Sequence, residues 1–220
     1  MRIKNLCIVL VILITGNFIT SCSPQCLAPR SDNAPTGYEI ILDNRGTKVS
    51  EAHNLTGFSE IDVSALFEVE IIQGGGFEVI TEVEEAAVPY LQVFVEDHVL
   101  NIGLDPSLAY NTTNAVLHGK ITLPVLSRLS LNGISTAELT DFECSGSLDV
   151  EVRGVSVLKG RLSGCDLNLI AAESSEVMLQ GSVKNVELIA TNASEVDFSE
   201  LVMENLESYV DLTSKLIIDN

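Results

Sequence analysis

The residues best suited to chemistry in this chain of 220 residues are pairs of carboxylates spaced two apart. The pairs are Glu68/Glu70, Glu82/Glu84 and Asp149/Glu151. Residues two apart on a β-strand project from the same face, so each pair could hold Ca²⁺ or act as a general acid and base. Alternating carboxylates on a solvated strand have the same spacing, and no DxDxDG calcium loop accompanies them. We therefore predict no metal site, no catalytic pair and no cofactor.

A second candidate combines acidic and basic residues. The nearest approach to a basic cluster consists of Arg128, Arg153, Lys159 and Arg161. Arg153 has the same strand parity as Asp149 and Glu151, so the three would share an outer face. Polysaccharide lyases with parallel β-helices place carboxylates beside a basic residue, which makes this constellation the one enzymatic alternative. A fold alone supplies no activity.

The histidines complete the search for chemistry. His53, His98 and His118 show no metal-ligand spacing such as HExxH, and we predict surface or loop positions for them. No GxSxG motif and no P-loop is present. The sequence therefore favours a protein that is not an enzyme.

One serine column reveals the elements that position these residues. Ser135, Ser156, Ser175, Ser194 and Ser214 recur at steps of 21, 19, 19 and 20 residues. Small residues such as Gly133, Gly154 and Ala193 stand close by, as expected where a tight bend meets the core. The column is either an exposed hydroxyl ladder for a ligand or a packed corner, and we favour the corner.

Apolar columns follow the same period. "LNLIAAESSEVML" (167–179) and "VELIATNASEVDF" (186–198) are nearly the same segment written twice. Six residues before each serine, the chain has Leu129, Val150, Leu169, Leu188 and then Ser208. Within a repeat the apolar period is two, which indicates strands, and between repeats it is near 20, which indicates stacked coils.

The sequence thus predicts an all-β protein. Residues 124–220 are expected to form a right-handed parallel β-helix, or β-solenoid, with coils of about 20 residues, each closing the apolar face of its neighbour. Residues 54–123 are expected to form an antiparallel or mixed β region, with turns at "GGG" (74–76) and "EDH" (96–98).

Two cysteines test this register. Cys144 lies nine residues after Ser135, and Cys165 lies nine after Ser156, so both occupy one column in adjacent coils. Their backbones should then be ~4.8 Å apart, within the range that a disulfide permits. We predict a disulfide or a close thiol pair. Cys26 has no evident partner.

The first 22 residues predict the cellular location of the protein. Arg2 and Lys4 precede an apolar run, as in a secretory signal peptide at residues 1–21. The run ends in "ITSC", which resembles the lipobox of bacterial lipoproteins, and this resemblance implies that Cys22 is lipidated and anchors the chain in a membrane. Ser23 stands where an Asp would retain a lipoprotein in the inner membrane, so it favours the outer membrane. The sequence leaves open whether the chain faces the periplasm or the cell surface. Residues 22–53, rich in Pro, Ser, Asn and Gly at their start, are expected to be a flexible tether.

Charge excludes several partners. All 31 acidic residues lie beyond position 21, against ten basic ones, so the mature chain would carry a net charge of −21. No basic patch could neutralise phosphates, which argues against nucleic acid and against electrostatic docking on anionic lipid. There is no Trp, so the strongest stacking platform is missing.

A family resemblance extends over residues 58–218. The segments "FSEIDVSALFEVEIIQGGGFEVITE", "VEDHVLNIGL" and "ITLPVLSRLSLNGISTAEL", followed by the repeats, resemble the putative autotransporter adhesin head, GIN domain, a family common in envelope lipoproteins. Where that family has Gly-Ser-Gly-Asp at its repeat corners, this chain has "GISTA", "GVSVL", "ESSEV" and "NASEV". The resemblance implies one continuous β-helical domain over 54–220, a cell-envelope location and an adhesin role without catalytic residues.

We therefore expect a lipid-anchored, non-enzymatic head that displays a surface for a glycan or protein ligand. Two alternatives remain open at this point: a carbohydrate-active β-helix enzyme, and a structural component that assembles with itself through its coil ends.

Overall fold

The structure, a computed structural model, describes residues 40–112, 115–144 and 146–219. Its strands alternate between buried and exposed residues. The strands of the first half are β1 (Ile40–Ile41), β2 (Lys48–His53), β3 (Glu60–Val63), β4 (Phe67–Gln73), β5 (Glu78–Glu84), β6 (Leu91–Glu96), β7 (Val99–Leu104), β8 (Tyr110–Asn111) and β9 (Leu117–Leu123). Those of the second half are β10 (Arg128–Leu131), β11 (Thr136–Glu143), β12 (Ser147–Val152), β13 (Val157–Ser163), β14 (Asp166–Ala172), β15 (Glu176–Thr191), β16 (Glu195–Asp197), β17 (Leu201–Val210) and β18 (Lys215–Ile217). One 3₁₀ turn, Val88–Tyr90, precedes β6.

The second half of the chain is built from parallel pairs in the register that the repeats predict. Leu129 pairs with Val150, Val150 with Leu169, Leu169 with Leu188, and Leu188 with Ser208. This register is confirmed. Because β15 pairs with β13 through its first half and with β14 through its second half, the strands join into one large sheet that nearly closes on itself.

The strands of the sheet divide into two groups on either side of the core, which we call face 1 and face 2. Face 1 contains β2, β5, β9, β4, β11, β13, the first half of β15, β16 and β18. Face 2 contains β6, β7, β3, β10, β12, β14, the second half of β15, and β17. The first residues of β17 also pair with the end of the first half of β15. Side chains turned inward from both faces form the core. On face 1, for example, Val69, Ala137, Leu158 and Val177 stack in adjacent strands, each at most 3% exposed.

The first half of the chain is mixed, as the sequence predicts, but its layers are not in chain order. β3 lies between β7 and β10, and β4 lies between β9 and β11, all in parallel pairing. β2, β5 and β6 pair antiparallel and close this end of the sheet. The turns at 74–76 and 96–98 connect β4 to β5 and β6 to β7, as expected.

The expected tether is too long at its C-terminal end. Residues 22–39, with Cys22 and Cys26, lie outside the described residues, as does the expected signal peptide. Residues 40–53 are not a tether, because β1 pairs with β8 and β2 pairs along its whole length with β5. Leu42, between β1 and β2, is fully buried, so this segment covers the core.

The corners between the faces need a backbone that most residues avoid. Ala65, Gly133 and Gly154 occupy equivalent corner positions with φ of 68°, 78° and 77°. Ile134 donates its N–H to the Ala65 carbonyl at 3.1 Å, and Val155 donates to the Gly133 carbonyl at 2.8 Å. Each corner therefore rests directly on the backbone of the corner below.

The structure joins Cys144 to Cys165 in a disulfide, with Cα atoms 5.0 Å apart. Cys165 is buried, and Cys144 packs against the core. The bridge thus links the segments that follow the paired strands β11 and β13. Within the part of the chain that the structure describes, no helical segment has the length and apolar character of a membrane span.

Candidate functional site

The serine column is part of the packing of the corner. Ser135, Ser156, Ser175 and Ser194 are at most 1% exposed. Ser135 Oγ donates to the Asn132 carbonyl at 2.7 Å, and Ser156 Oγ accepts the Ser135 N–H at 3.3 Å. Ser194 Oγ donates to Ser214 Oγ at 3.4 Å. The hydroxyls of Ser135 and Ser156 satisfy backbone groups at the bend, whereas Ser175 Oγ is buried without a hydrogen-bond partner among the described residues. Because all four are buried, they do not present a ladder to a ligand.

The basic residues of the enzymatic alternative separate onto the two faces. Arg128 and Arg153 lie on face 2, where Arg128 forms ion pairs with Glu60 and Glu151, each at 3.8 Å, and Arg153 pairs with Glu151. Lys159 and Arg161 lie on β13 of face 1. Arg161 pairs there with Asp141 at 3.3 Å.

The carboxylates of this constellation already form ion pairs or hydrogen bonds with neighbouring side chains. Glu151 lies between two guanidinium groups. Asp149 accepts a hydrogen bond from Asn168 Nδ2 at 2.7 Å. The arrangement is that of an ion-pair network on a strand surface, in which side chains pair with one another rather than converging on a shared space.

Three of the four paired acidic residues of the first half line a concavity of about 410 Å³ on face 1. Glu68, Glu70 and Glu82 line it, and His118 Nδ1 lies 3.6 Å from Glu68. Glu84 has the parity of Glu82 but is only 2% exposed, because the loop before β2 covers it and Asn44 donates its N–H to Glu84 Oε1 at 2.8 Å. Among the described residues, no group of His, Cys, Asp and Glu side chains could hold a metal ion.

A surface that the sequence analysis does not predict lies on the outside of face 2, on strands β14, β15 and β17. Two adjoining concavities of about 650 and 530 Å³ share Asn168, Glu187 and Glu207. We call this the face 2 groove. Its two sides are formed by two columns of outward-facing side chains, one polar and one apolar, described below.

The polar side of the groove is a ladder of planar groups. Asn185 Nδ2 donates to Asp166 Oδ1 at 2.7 Å, and Asn205 Nδ2 donates to Asn185 Oδ1 at 2.9 Å. Asn168 Nδ2 donates to Ser147 Oγ at 3.1 Å beside it. These hydrogen bonds fix the orientation of each amide and carboxylate, so the outer edges of the ladder are held in place.

The apolar side of the groove is a column of exposed side chains. Ile170 pairs in register with Ile189, and Ile189 with Tyr209. They are 36%, 46% and 62% exposed, although apolar side chains at neighbouring inward positions are buried. Between the two columns, Glu187 and Glu207 pair in register, and both line the two concavities.

A sequence signal for the groove does exist. Asp166, Asn185 and Asn205 recur at the steps that separate the serines, and so do Ile170, Ile189 and Tyr209. The second set places an apolar residue at outward parity three times in succession, which a core cannot use. Columns of outward parity therefore mark the groove.

Comparison with known proteins identifies relatives of this chain. A family model described as "Putative auto-transporter adhesin, head GIN domain" matches residues 57–216. No curated protein matches the sequence. Among solved structures, a putative adhesin from Parabacteroides distasonis ATCC 8503 has a TM-score of 0.55 at 15% identity, covering 77% of this chain and 81% of that chain. At this identity the likeness shows the fold alone.

Two further structures have lower TM-scores. A putative adhesin from Bacteroides fragilis NCTC 9343 has a TM-score of 0.47 at 16% identity, covering 81% of this chain and 100% of that chain. A putative lipid binding protein from Parabacteroides distasonis ATCC 8503 has a TM-score of 0.47 at 17% identity, covering 80% and 96%.

Proposed function

Because this chain belongs to the family of the putative auto-transporter adhesin head GIN domain, we propose that it is a non-enzymatic binding protein of the cell envelope. In this proposal the face 2 groove binds the ligand. The stacked strands act as a rigid support that presents one row of side chains per coil.

The observation that carries the proposal is the pair of outward columns in the groove. Ile189 and Tyr209 expose apolar surface beside an ordered polar ladder that includes Asn185 and Asn205. Ligand sites combine apolar contact area with a few fixed polar groups in this way. Exposed apolar side chains in a contiguous row are also the usual mark of an interaction surface.

The groove favours a neutral or cationic ligand. Its polar side offers amide groups and the carboxylate of Asp166, and Glu187 and Glu207 line its floor. An acidic polysaccharide would meet these carboxylates and a mature chain of net charge −21, with ten basic residues against 31 acidic ones. Neutral glycans and neutral or basic protein segments remain as ligand classes.

The parallel pairing supports a more specific architecture, a right-handed parallel β-helix with coils of about 20 residues. In this proposal such a fold provides the binding surface, because equivalent positions repeat along the axis and build an extended surface. The Cys144–Cys165 disulfide suits an oxidising envelope compartment.

Anchoring is the second part of the proposal. We infer that the signal peptide over residues 1–21 is removed, that Cys22 carries lipid, and that the chain is held in the outer membrane. The support is the basic start, the apolar run and the lipobox-like "ITSC". Mass spectrometry of the mature protein tests it: wild type should begin at an acylated Cys22, and the Cys22→Ser variant should lack the acyl mass. An intact Met1 in wild type would contradict this part.

Ligand binding is tested with the mature chain carrying Cys22→Ser, screened against neutral glycans, acidic glycans and extracellular-matrix proteins. The groove variant Ile189→Ser/Tyr209→Ser should lose the strongest signals. A matched control is Ile134→Ser/Val155→Ser, which removes another exposed apolar pair, 60% and 61% exposed, at a corner. Binding that survives in the groove variant and disappears in the control would overturn the assignment of the groove.

A further inference from the structure

The last coil leaves the core open. Among the strands that the structure describes, β17 pairs with β15 alone and β18 with β16 alone. In the coil before, the inward residues Val186, Leu188 and Val196 are at most 2% exposed. Their counterparts in the last coil are Leu206, Ser208 and Leu216, of which Leu206 and Leu216 are only partly buried and Ser208 is exposed.

The backbone of β17 offers unused hydrogen-bonding groups at the same place. Asp211 donates its N–H to the Ala190 carbonyl at 3.0 Å. Since alternate residues of a strand point their backbone groups at the same neighbour, Tyr209 also faces β15, and the N–H and C=O groups of Ser208 and Val210 face away from it. Such an edge is a template for one more strand.

The opposite end of the sheet is sealed. There the antiparallel strands β5 and β2 extend the sheet beyond β9, and β6 extends it beyond β7. Leu42, between β1 and β2, and Val79 and Val83 of β5 itself are at most 1% exposed. The open core is therefore a property of the C-terminal coil and not of both ends.

Charge decides what could cover this edge. Residues 199–214 contain Glu200, Glu204, Glu207 and Asp211 and no Lys or Arg. The adjacent Lys215 is held by Glu195 at 2.8 Å. A second copy would bring two such acidic ends together, and like charges on opposing strands are destabilising.

We propose that the β17 edge is a docking site for an extended, lysine- or arginine-rich segment of another protein, which adds to face 2 as an extra strand. Its backbone pairs with Ser208 and Val210. Its apolar side chains cover Leu206 on the core side, and its basic side chains lie beside Glu204 and Glu207. Strand addition gives affinity through main-chain hydrogen bonds, and alternate side chains give specificity.

The test uses the mature chain and a fluorescein-labelled peptide of alternating Lys and Val, measured by fluorescence anisotropy. Ser208→Pro removes the free N–H and is compatible with an edge strand, so it should weaken binding at least about tenfold. Ser208→Ala keeps the N–H and should bind like wild type. Glu204→Gln should weaken binding and reduce its salt dependence, and Glu138→Gln on face 1 is the matched control.

A peptide of alternating Glu and Val should not bind. The proposal is overturned if the Lys-Val peptide fails to bind wild type, or if it binds Ser208→Pro and wild type equally. It is also overturned if sedimentation shows a dimer of wild type that Ser208→Pro abolishes, since a second copy is then the occupant. Thermal unfolding of each variant confirms that it is folded. Ile189→Ser, a groove variant that leaves β17 unchanged, should still bind the Lys-Val peptide, which separates this proposal from the proposed function.

Discussion

At the scale of single residues, stacked corners decide which side chains are allowed. Gly154 has φ of 77°, and a Cβ there would collide with the Gly133 carbonyl of the corner below. Gly75, in the turn between β4 and β5, has no atom within 4 Å of such a Cβ. The two glycines therefore differ in their tolerance of a side chain.

We predict that Gly154→Ala lowers the free energy of unfolding by about 2 kcal/mol or more, because the left-handed backbone and the collision both oppose the methyl group. Gly75→Ala should change it by less than about 0.5 kcal/mol. Urea unfolding measures both values. Equal effects would mean that the corners are not stacked in this way.

Asp211 fixes the last corner. Its carboxylate accepts the N–H of Asn192 at 2.8 Å and that of Thr213 at 2.9 Å. The hydrogen bond from the Asn192 N–H, followed by that from the Thr213 hydroxyl, holds the pKa of Asp211 well below its usual range. The charged carboxylate is thus the form that the fold stabilises.

Because the folded pKa is lowered, the stabilisation by Asp211 should be complete above the unfolded pKa of about 3.9 and should decrease as the pH falls below it. Hydrogen exchange at the Asn192 amide should accelerate in Asp211→Ala at neutral pH and stay unchanged in Asp219→Ala. Equal protection in wild type and Asp211→Ala would refute this role.

Residue patterns could predict the small corner residues and the serine column but not every backbone conformation. Glu173, Ser174, Asn192 and Ala193 all have positive φ without being glycine. Stacking imposes this conformation on them, as the hydrogen bond from Ser174 N–H to the Asn192 carbonyl at 2.9 Å illustrates. Tertiary contacts thus override local preference at these corners.

At the scale of elements, the disulfide links the segments that follow the paired strands β11 and β13. Cys144 and Cys165 are 21 residues apart in sequence. Closing a loop of this size restricts the unfolded chain and typically contributes about 3 kcal/mol. The double variant Cys144→Ser/Cys165→Ser should lower the free energy of unfolding by roughly that amount.

Reductant supplies the control for the disulfide. Wild type in reductant should unfold like the double variant, and the double variant should not respond to reductant. Unfolding of wild type that is insensitive to reductant, together with free thiols detected at both cysteines, would show that the bridge does not form.

Sequence patterns resolve elements well only where layers follow chain order. Leu169 and Leu188 are both consecutive in the repeat and neighbours in the sheet. Glu60, in contrast, pairs with both Val99 and Arg128, so the partners of β3 lie far away in sequence. A search for a period near 20 residues cannot find such layers. It does not predict β2 either, because β2 pairs antiparallel with β5 at one end of the sheet.

At the scale of the whole molecule, one arrangement produces both the core and the groove. Alternate residues of a strand point to opposite sides, so stacking that buries Leu169 on Leu188 also stacks Ile170 on Ile189 outside. The outward columns of the groove and the continuity of the core are therefore consequences of the same register.

The most direct measurement is oxidative cross-linking of introduced cysteine pairs in the mature chain carrying Cys22→Ser and Cys26→Ser. Ile170→Cys/Ile189→Cys joins partners in register and should form a disulfide, as Cys144 and Cys165 do at a Cα separation of 5.0 Å. Ile170→Cys/Glu187→Cys is displaced along the strand by about 7 Å, beyond the reach of a disulfide, and should not. Efficient cross-linking of the displaced pair and none of the paired positions would contradict the stacked register, and with it the groove.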